Sequence, residues 1–550
     1  MVYKSPFPDI DIPGVDILTY LFPTGSKPSD SPIWIDSKNP NTSLSPKQLL
    51  QWVKRLAIGL DRLGVQPGEV LMTYTPNHVF VPVAYLGAVG SRRVFTGANP
   101  IYTVPEMAHQ ITNSEARVIL VHPSLVNKAL EAAETAKFPK SRIFAFSDYP
   151  NPVIDGVQDW RSMIGTPEEA EQYSWKRMDE EESKRTVATV NYSSGTTGLP
   201  KGVMVSHYNL VANAEQHIFM KYIHVKEREP ERWVGFLPLY HAYGQLWCNI
   251  MAIKLHVPVY VMKQFGYEEF LRVLQTYKIT HLHVAPPILV MLSKRPETAK
   301  YDISSVKDVL CGAAPLSKEL QNDVGKRFNM TIHQGWGMTE VTTGAVHVPF
   351  GFWDDSGSVG QLDPNSEIML LDDDGKEVAD GQPGEIYVRG PMVCLGYWRN
   401  ERATQESLSP DGWLKTGDVA IVKEGWFWIV DRKKELIKVN ALQVAPAELE
   451  AVLLEHEDIA DAAVVGITLN EQEWPRAYVQ LKEHAKGQLS QKIIQEWMKG
   501  KVAKHKQLVG GIAFVEEVPK LASGKIMRKV MKDWAKRDAA IIEGKAKAKL

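Results

Sequence analysis

Polar and apolar positions along this chain alternate between two periods. At 46–63, Leu49, Leu50, Val53, Leu56 and Leu60 recur every three or four residues, which predicts an amphipathic helix. The runs VILVH at 118–122 and THLHVA at 280–285 are short, apolar and rich in β-branched residues, which predicts buried strands. A helical pattern at 267–277 lies between such runs, and this alternation through the first 430 residues predicts α/β architecture with parallel-rich sheets sandwiched by helices. The longest apolar stretch, 79–90, holds about twelve residues and contains Pro82. A bilayer-spanning helix needs roughly twenty, so the stretch predicts a core helix and no membrane span.

The texture changes after the apolar run at 425–430. Asp431-Arg432-Lys433-Lys434 reads as a charged linker. Pro446 opens a helix over 446–455, with Leu449, Val452 and Leu453 on one face. Strands are expected at 462–467, 477–481 and 512–518, with a helix at 489–499 between them. The expected division is therefore a large region over 1–430, a hinge at 431–434, a small α+β lid over 435–540 and a tail over 541–550.

Composition adds little until it is read locally. With 550 residues the chain exceeds one ordinary core, and 63 basic against 65 acidic residues gives no global reason to expect nucleic acid as a partner. Cys248, Cys311 and Cys394 are too scattered for a disulfide framework or a zinc knuckle, which fits a reducing compartment. The first 21 residues lack the basic and apolar blocks of a secretory signal. Residues 520–550, however, carry ten basic and three acidic groups, a local +7. The chain's last three residues, Ala548-Lys549-Leu550, follow the small–basic–Leu pattern of a peroxisomal address. The expectation is a peroxisomal matrix protein that meets the import receptor, or otherwise a cytoplasmic one.

The segment Tyr192-Ser193-Ser194-Gly195-Thr196-Thr197-Gly198-Leu199-Pro200-Lys201-Gly202 carries the most chemistry. It follows a predicted strand at 187–192. Glycines let backbone N–H groups approach an anion, the hydroxyls donate further hydrogen bonds, and the lysine adds charge. These are the parts of a triphosphate cradle. It is not a Walker A loop, because Pro200 precedes the lysine, Gly202 stands where Ser or Thr is required, and a strand rather than a helix follows.

This segment resembles the signature of the adenylate-forming superfamily, which includes acyl- and aryl-CoA ligases, beetle luciferases and adenylation domains of peptide synthetases. The resemblance spans nearly the whole chain, because six further segments resemble family motifs in order. They are LPLYHAYG at 237–244, GAAP at 312–315, QGWGMTE at 334–340, GWLKTGD at 412–418, DRKKELIK at 431–438 and PKLASGK at 519–525. Among subfamilies it is most similar to 4-coumarate–CoA ligases and their peroxisomal relatives.

The resemblance implies a small β subdomain within the large region, and an enzyme that joins a carboxylic acid to CoA at the expense of ATP, with Mg²⁺. It places Ser193, Ser194, Gly195, Thr196, Thr197, Gly198 and Lys201 on the phosphates. Gly312, Ala313, Ala314, Gln334, Gly335, Trp336, Gly337, Met338 and Thr339 would surround adenine and the α-phosphate, and Asp418 and Arg432 the ribose. Thr196 and Glu340 would hold the metal, and Lys525 would carry adenylation. His241, Tyr243, Gly244, Leu310 and Gly312 would line the acyl site. Rotation of the lid about Lys434 would bring Lys438 and Gln443 to the site for thioester formation. Two departures stand out: Ala441 replaces a glycine that usually lines the pantetheine tunnel, and Asn440 replaces a residue that could meet the CoA phosphates. Gly244 and Leu310 stand where hydroxycinnamate ligases carry Ser and Lys, so the expected pocket floor is apolar. It favours an aryl-alkanoic or medium-chain fatty acid over a para-hydroxylated one. A luciferase-like oxygenase and an enzyme loading a carrier protein stay open as alternatives at this point.

Overall fold

The computed structural model describes residues 2–193, 200–439, 442–470, 472–521 and 524–544. Two large sheets form the centre. The first runs in the order Gly396–Tyr397, Lys201–Ser206, Val187–Ser193, Val94–Ala98, Val70–Tyr74, Ala116–Val121, Ile143–Ala145, Gln158–Asp159. It is parallel from Val187–Ser193 onward, and the pairings of Lys201–Ser206 are antiparallel. The second sheet has parallel strands Thr331–Trp336, Asp308–Cys311, His281–Val284, Trp233–Gly235, Val259–Val261 and Trp34–Asp36, with antiparallel strands at both edges. The predicted α/β class is what the chain adopts.

Between the sheets lies the apolar stretch read from the sequence. Helix Val81–Gly90 is buried along its whole length, so it needs no polar face. Helix Pro46–Arg62 buries the predicted stripe, and Ser45 and Gln48 close a capping box at its start. Among the described residues no helix is long and apolar enough to cross a membrane. All three cysteines are buried and unpaired.

A third, antiparallel sheet comprises Val2–Lys4, Glu367–Leu371, Gly384–Arg389, Leu414–Lys423 and Trp426–Arg432. The charged linker read at 431–434 therefore begins inside a strand: Asp431 and Arg432 pair with Val419 and Asp418, and the turn follows them. The strand wins because its partner supplies backbone bonds that local charge does not outweigh.

Beyond the turn, the hairpin Ile437–Val439/Leu442–Val444, the sheet Ile459–Leu469, Gln472–Leu481, Ile512–Phe514 and helices Pro446–Glu455, Gln491–Lys499 and Arg528–Ile542 enclose two small cores of their own. The last strand is shorter than predicted, because Glu516 and Glu517 turn to solvent at the sheet's edge. The tripeptide Ala548-Lys549-Leu550 lies outside the described residues, as do Asn440 and Ala441.

The third sheet is seated against the second through Gly360. Its φ is +106°, and a β-carbon there would stand 1.9 Å from the carbonyl carbon of His347. The backbone approach thus admits only glycine. Replacing Gly360 with Ala is expected to lower stability by about 3 kcal/mol, read as a shift of the urea midpoint.

Candidate active site

The ends of all three sheets meet helix Pro446–Glu455 and the stretch around Lys525 of the small domain at a cavity of about 1270 Å³. Strands Val187–Ser193 and Lys201–Ser206 pair with Ser193 opposite Lys201 and bracket the hydroxyl-rich segment. Ser194, Gly195, Thr196, Thr197 and Gly198 lie outside the described residues. Lys201 is exposed, with its Nζ 5.0 Å from the centre of the Tyr397 ring.

Strand Thr331–Trp336 delivers its C-terminal end to the cavity. Gln334 donates to Gln321 Oε1 at 2.6 Å and to the Leu316 carbonyl at 3.3 Å, so its amide holds the neighbouring helix in place. Gly335, Gly337 and Thr339 line the cavity, and Met338 packs into the core beside it. A β-carbon on Gly337 would stand 1.9 Å from the Thr343 carbonyl oxygen, so the chain folds back on itself here. Thr342 completes the fold-back at φ 65°, ψ −60°, and the Thr343 N–H donates to the Val341 carbonyl at 2.7 Å. This is the strained form of a γ-turn, held by the Thr342 hydroxyl on the Met392 carbonyl. Ala313, between Gly312 and Ala314, also takes a positive φ of 72° at the cavity wall.

Inside the turn, Glu340 is buried and accepts a hydrogen bond from the Tyr397 hydroxyl at 2.9 Å. Burial raises its pKa against that bond. Asp418 comes from the third sheet, opposite Arg432 in the strand register. The Trp336 indole N–H donates to it at 2.8 Å, and the Arg432 guanidinium lies 3.5 Å away. Burial is again the largest influence and raises the Asp418 pKa. Trp336 therefore uses its polar edge to hold Asp418 while its ring joins the core.

Lys525 reaches this pair of carboxylates from the small domain. The Leu521 N–H donates to the Lys525 carbonyl and the Gly524 N–H to the Leu521 carbonyl, both at 2.8 Å. Gly524 has φ +83° and lies so close to Pro287 and Ala285 that a β-carbon would stand 3.0–3.2 Å from them. Enclosure and Arg432 push the Lys525 pKa down to about 8, opposed by Asp418 and Glu340. Enclosure, and then Lys525, push His241 down to about 4, so its imidazole is neutral. The His241 Nδ1 accepts from the Tyr243 N–H at 3.4 Å, which leaves the proton on Nε2.

The structure brings Lys525, Glu340, Asp418, Arg432, Trp336 and His241 together. It does not bring Lys438 and Gln443 there: they face one another across an exposed hairpin away from the cavity. Lys434 is exposed, and its carbonyl accepts from Lys532 at 3.2 Å. Tyr243, Gly244, Leu310 and Gly312 do not line the cavity. Gly244 and Leu310, expected at the pocket floor, are buried in the core beside it. A β-carbon on Gly244 would stand 2.2 Å from the Pro238 carbonyl oxygen, and the Leu310 carbonyl accepts from the Tyr243 hydroxyl.

The sequence reading missed Lys294, which has no local motif. It donates to the carbonyls of Leu454, His456 and Ile459 at 2.6, 3.4 and 2.7 Å. Two of these lie at the C-terminal end of helix Pro446–Glu455. Asp431 takes the other end of that helix, accepting from the Ala447 N–H at 3.1 Å. The helix thus has a carboxylate at its positive pole and an ammonium at its negative pole.

The sequence model of the family described as AMP-binding enzyme matches residues 24–398, and that of the AMP-binding enzyme C-terminal domain matches 448–525. Among curated relatives, phenylacetyl-CoA ligase epaB of Aspergillus niger is 35% identical, over 96% of this chain and 98% of its own. Acyl-CoA synthetase ACTT5 of Alternaria alternata is 35% identical, over 92% and 87%. 4-Coumarate–CoA ligase 4 of Arabidopsis thaliana is 34% identical, over 96% and 93%. Among solved structures, ATP-bound MatB of Rhodopseudomonas palustris superposes with a TM-score of 0.81 at 23% identity, over 95% and 99%. At that identity the likeness shows the fold.

Replacing Lys294 with Met removes three charge-assisted bonds from the lid. Amide exchange in helix Pro446–Glu455 is expected to speed up about tenfold or more, with exchange in helix Val81–Gly90 unaltered.

Proposed function

The chain belongs to the AMP-binding enzyme family and is an AMP-forming acyl-CoA ligase, and from that premise we propose that Lys525, Glu340 and Asp418 carry the adenylation of an aryl-alkanoic or medium-chain fatty acid. The observation that carries this reading is Lys525, enclosed between two buried carboxylates and a neutral His241. The ligase named for phenylacetate among the relatives supports the aryl-alkanoic choice.

A carboxylate is a poor acylating agent because oxide is a poor leaving group. Its oxygen attacks the α-phosphorus of ATP, pyrophosphate departs, and the acid becomes an acyl-AMP anhydride. Two anions must approach, so a cation between them lowers the barrier. Lys525 supplies that cation from the lid, and His241 donates a hydrogen bond from its Nε2–H to the acid's carboxylate and keeps the proton. Asp418 accepts hydrogen bonds from the ribose hydroxyls, with Arg432 beside it. The family's Mg²⁺ would be held by the carboxylate oxygens of Glu340, which the Tyr397 hydroxyl positions, and by resemblance Thr196 would join it; the ion would neutralise phosphate charge.

The CoA thiol then attacks the acyl carbonyl and AMP departs. Lys525 and its turn fill the site during adenylation, so the lid turns about Lys434 to present Lys438 and Gln443.

Replacing Lys525 with Ala is expected to slow pyrophosphate release by about 10²-fold or more, with a far smaller effect on thioester formation from supplied acyl-AMP. The charged lysine is the active form, so adenylation falls as pH rises through about 8. Replacing Lys525 with Arg, which keeps its charge, moves that loss to higher pH. Equal losses in both half-reactions would overturn the assignment of Lys525.

A further inference from the structure

Lys525 stands on a turn whose footing runs back through the lid to the large region. A bridge between Lys520 and Ile526 closes the base of the turn, and the Met527 N–H donates to the Pro519 carbonyl at 2.9 Å. Lys520 is itself tied down. Its Nζ donates to Asp461 Oδ2 at 2.5 Å, with the two side chains only 23% and 18% exposed. The other oxygen of Asp461 accepts from the Ala462 N–H at 3.0 Å, so the carboxylate is held from two sides. Such a charge-assisted bond between oriented partners fixes position as well as adding energy.

Asp461 lies at the start of strand Ile459–Leu469, where the register slips. Ile459 pairs with Leu481 and Asp461 with Gln480, so Ala460 is an extra residue on this strand. A β-bulge of this kind re-aims the groups beside it. On one side of it Asp461 takes Lys520. On the other, the Ile459 carbonyl takes Lys294 of the large region at 2.7 Å, together with the Leu454 and His456 carbonyls. All three bonds of this ammonium cross from the large region into the lid.

Lys294 closes helix Pro286–Lys294, and the start of the same helix meets the Lys525 turn. A β-carbon on Gly524 would stand 3.0 Å from Pro287. Pro287 and Lys294 are about 10 Å apart along the helix. One rigid element therefore touches the lid at two separated points: the turn that carries Lys525, and the bulge that anchors Lys520. The contacts form a closed ring, from Pro287 through Gly524, Lys520, Asp461 and Ile459 to Lys294. Two contacts at that separation set the orientation of the turn as well as its distance.

We propose that Lys294, Asp461 and Lys520 are positioning residues for adenylation, a brace that sets where Lys525 stands in the first half-reaction and that opens before the second. This rests on the acyl-CoA ligase reading and on the rotation of the lid. None of the three touches the reacting atoms; they act through Lys525. A misplacement of about 1 Å at a reacting centre costs up to about 10²-fold in rate. Residues that only hold the fold together would instead weaken both half-reactions alike.

The test separates the half-reactions in Lys294→Met, in the nearly isosteric Asp461→Asn and in the double variant. One assay follows acyl-AMP formation from ATP with phenylacetate or octanoate; the other follows thioester formation from CoA and the supplied phenylacetyl-AMP or octanoyl-AMP. Each single variant is expected to slow acyl-AMP formation by about tenfold or more and to leave thioester formation close to wild type. Because the parts of the ring act in series, the double variant is expected to be little slower than the slower single variant. Equal losses in both half-reactions overturn the brace. So does unaltered acyl-AMP formation in either single variant, or a double variant whose loss is the product of the two. Absence of acyl-AMP formation by the wild type across aryl and medium-chain acids is a different result, and it strikes the ligase reading itself.

Discussion

The adenylation proposed for this site depends on keeping a lysine charged where water is largely excluded. Enclosure lowers the Lys525 pKa to about 8, and Arg432 acts in the same direction. Asp418 and Glu340 resist it. These two carboxylates come from different layers: one from an antiparallel strand pair, the other from the turn after a parallel strand. Neither could stay in place unaided, since burial pushes both toward the neutral acid. The Trp336 indole holds one and the Tyr397 hydroxyl the other. The cation comes from a third body, so the charge balance is complete only when the lid is docked.

That balance needs the backbone to come unusually close to itself. Gly337 against Thr343, Gly360 against His347 and Gly524 against Pro287 are contacts that a β-carbon would obstruct. The γ-turn at Thr342 adds strain in the same stretch, and that turn aims Glu340 inward. The glycines thus serve as spacers that let three layers converge, and the strain is borne where precise placement of a charge matters most.

These requirements differ in how far one sequence displays them. Periodicity revealed helices 46–62 and 267–277 nearly to the residue, because an amphipathic stripe is a local pattern. The motif order revealed Asp418, Glu340 and Lys525 for the same reason. The close approach of Gly244 to the Pro238 carbonyl was not legible, since what a glycine spaces depends on what lies opposite it. The Lys294 latch joins residues over a hundred positions apart, beyond any local spacing rule. The end of the strand at Arg432 was obscured likewise: its partners lie across a sheet, while the charges at 431–434 lie along the chain.

The way the lid is held suits an enzyme that must let it go. None of the large apolar clusters crosses from the large region into the lid; the small one of Val419, Leu436 and Ala445 sits at the turn itself. Elsewhere polar groups hold the two poles of one helix, Asp431 and Lys294, and Gly524 packs against Pro287 and Ala285. Apolar burial is lost in proportion to area and resists separation, whereas a few charge–dipole contacts exchange for water at modest cost. The lid's own cohesion is of another kind, with buried Arg528 bonded to Glu450 and to the Val464 carbonyl. A lid that is rigid within and held at its face by few apolar contacts suits the rotation proposed above. The two half-reactions proposed for this site would use different faces of the lid and would require that property.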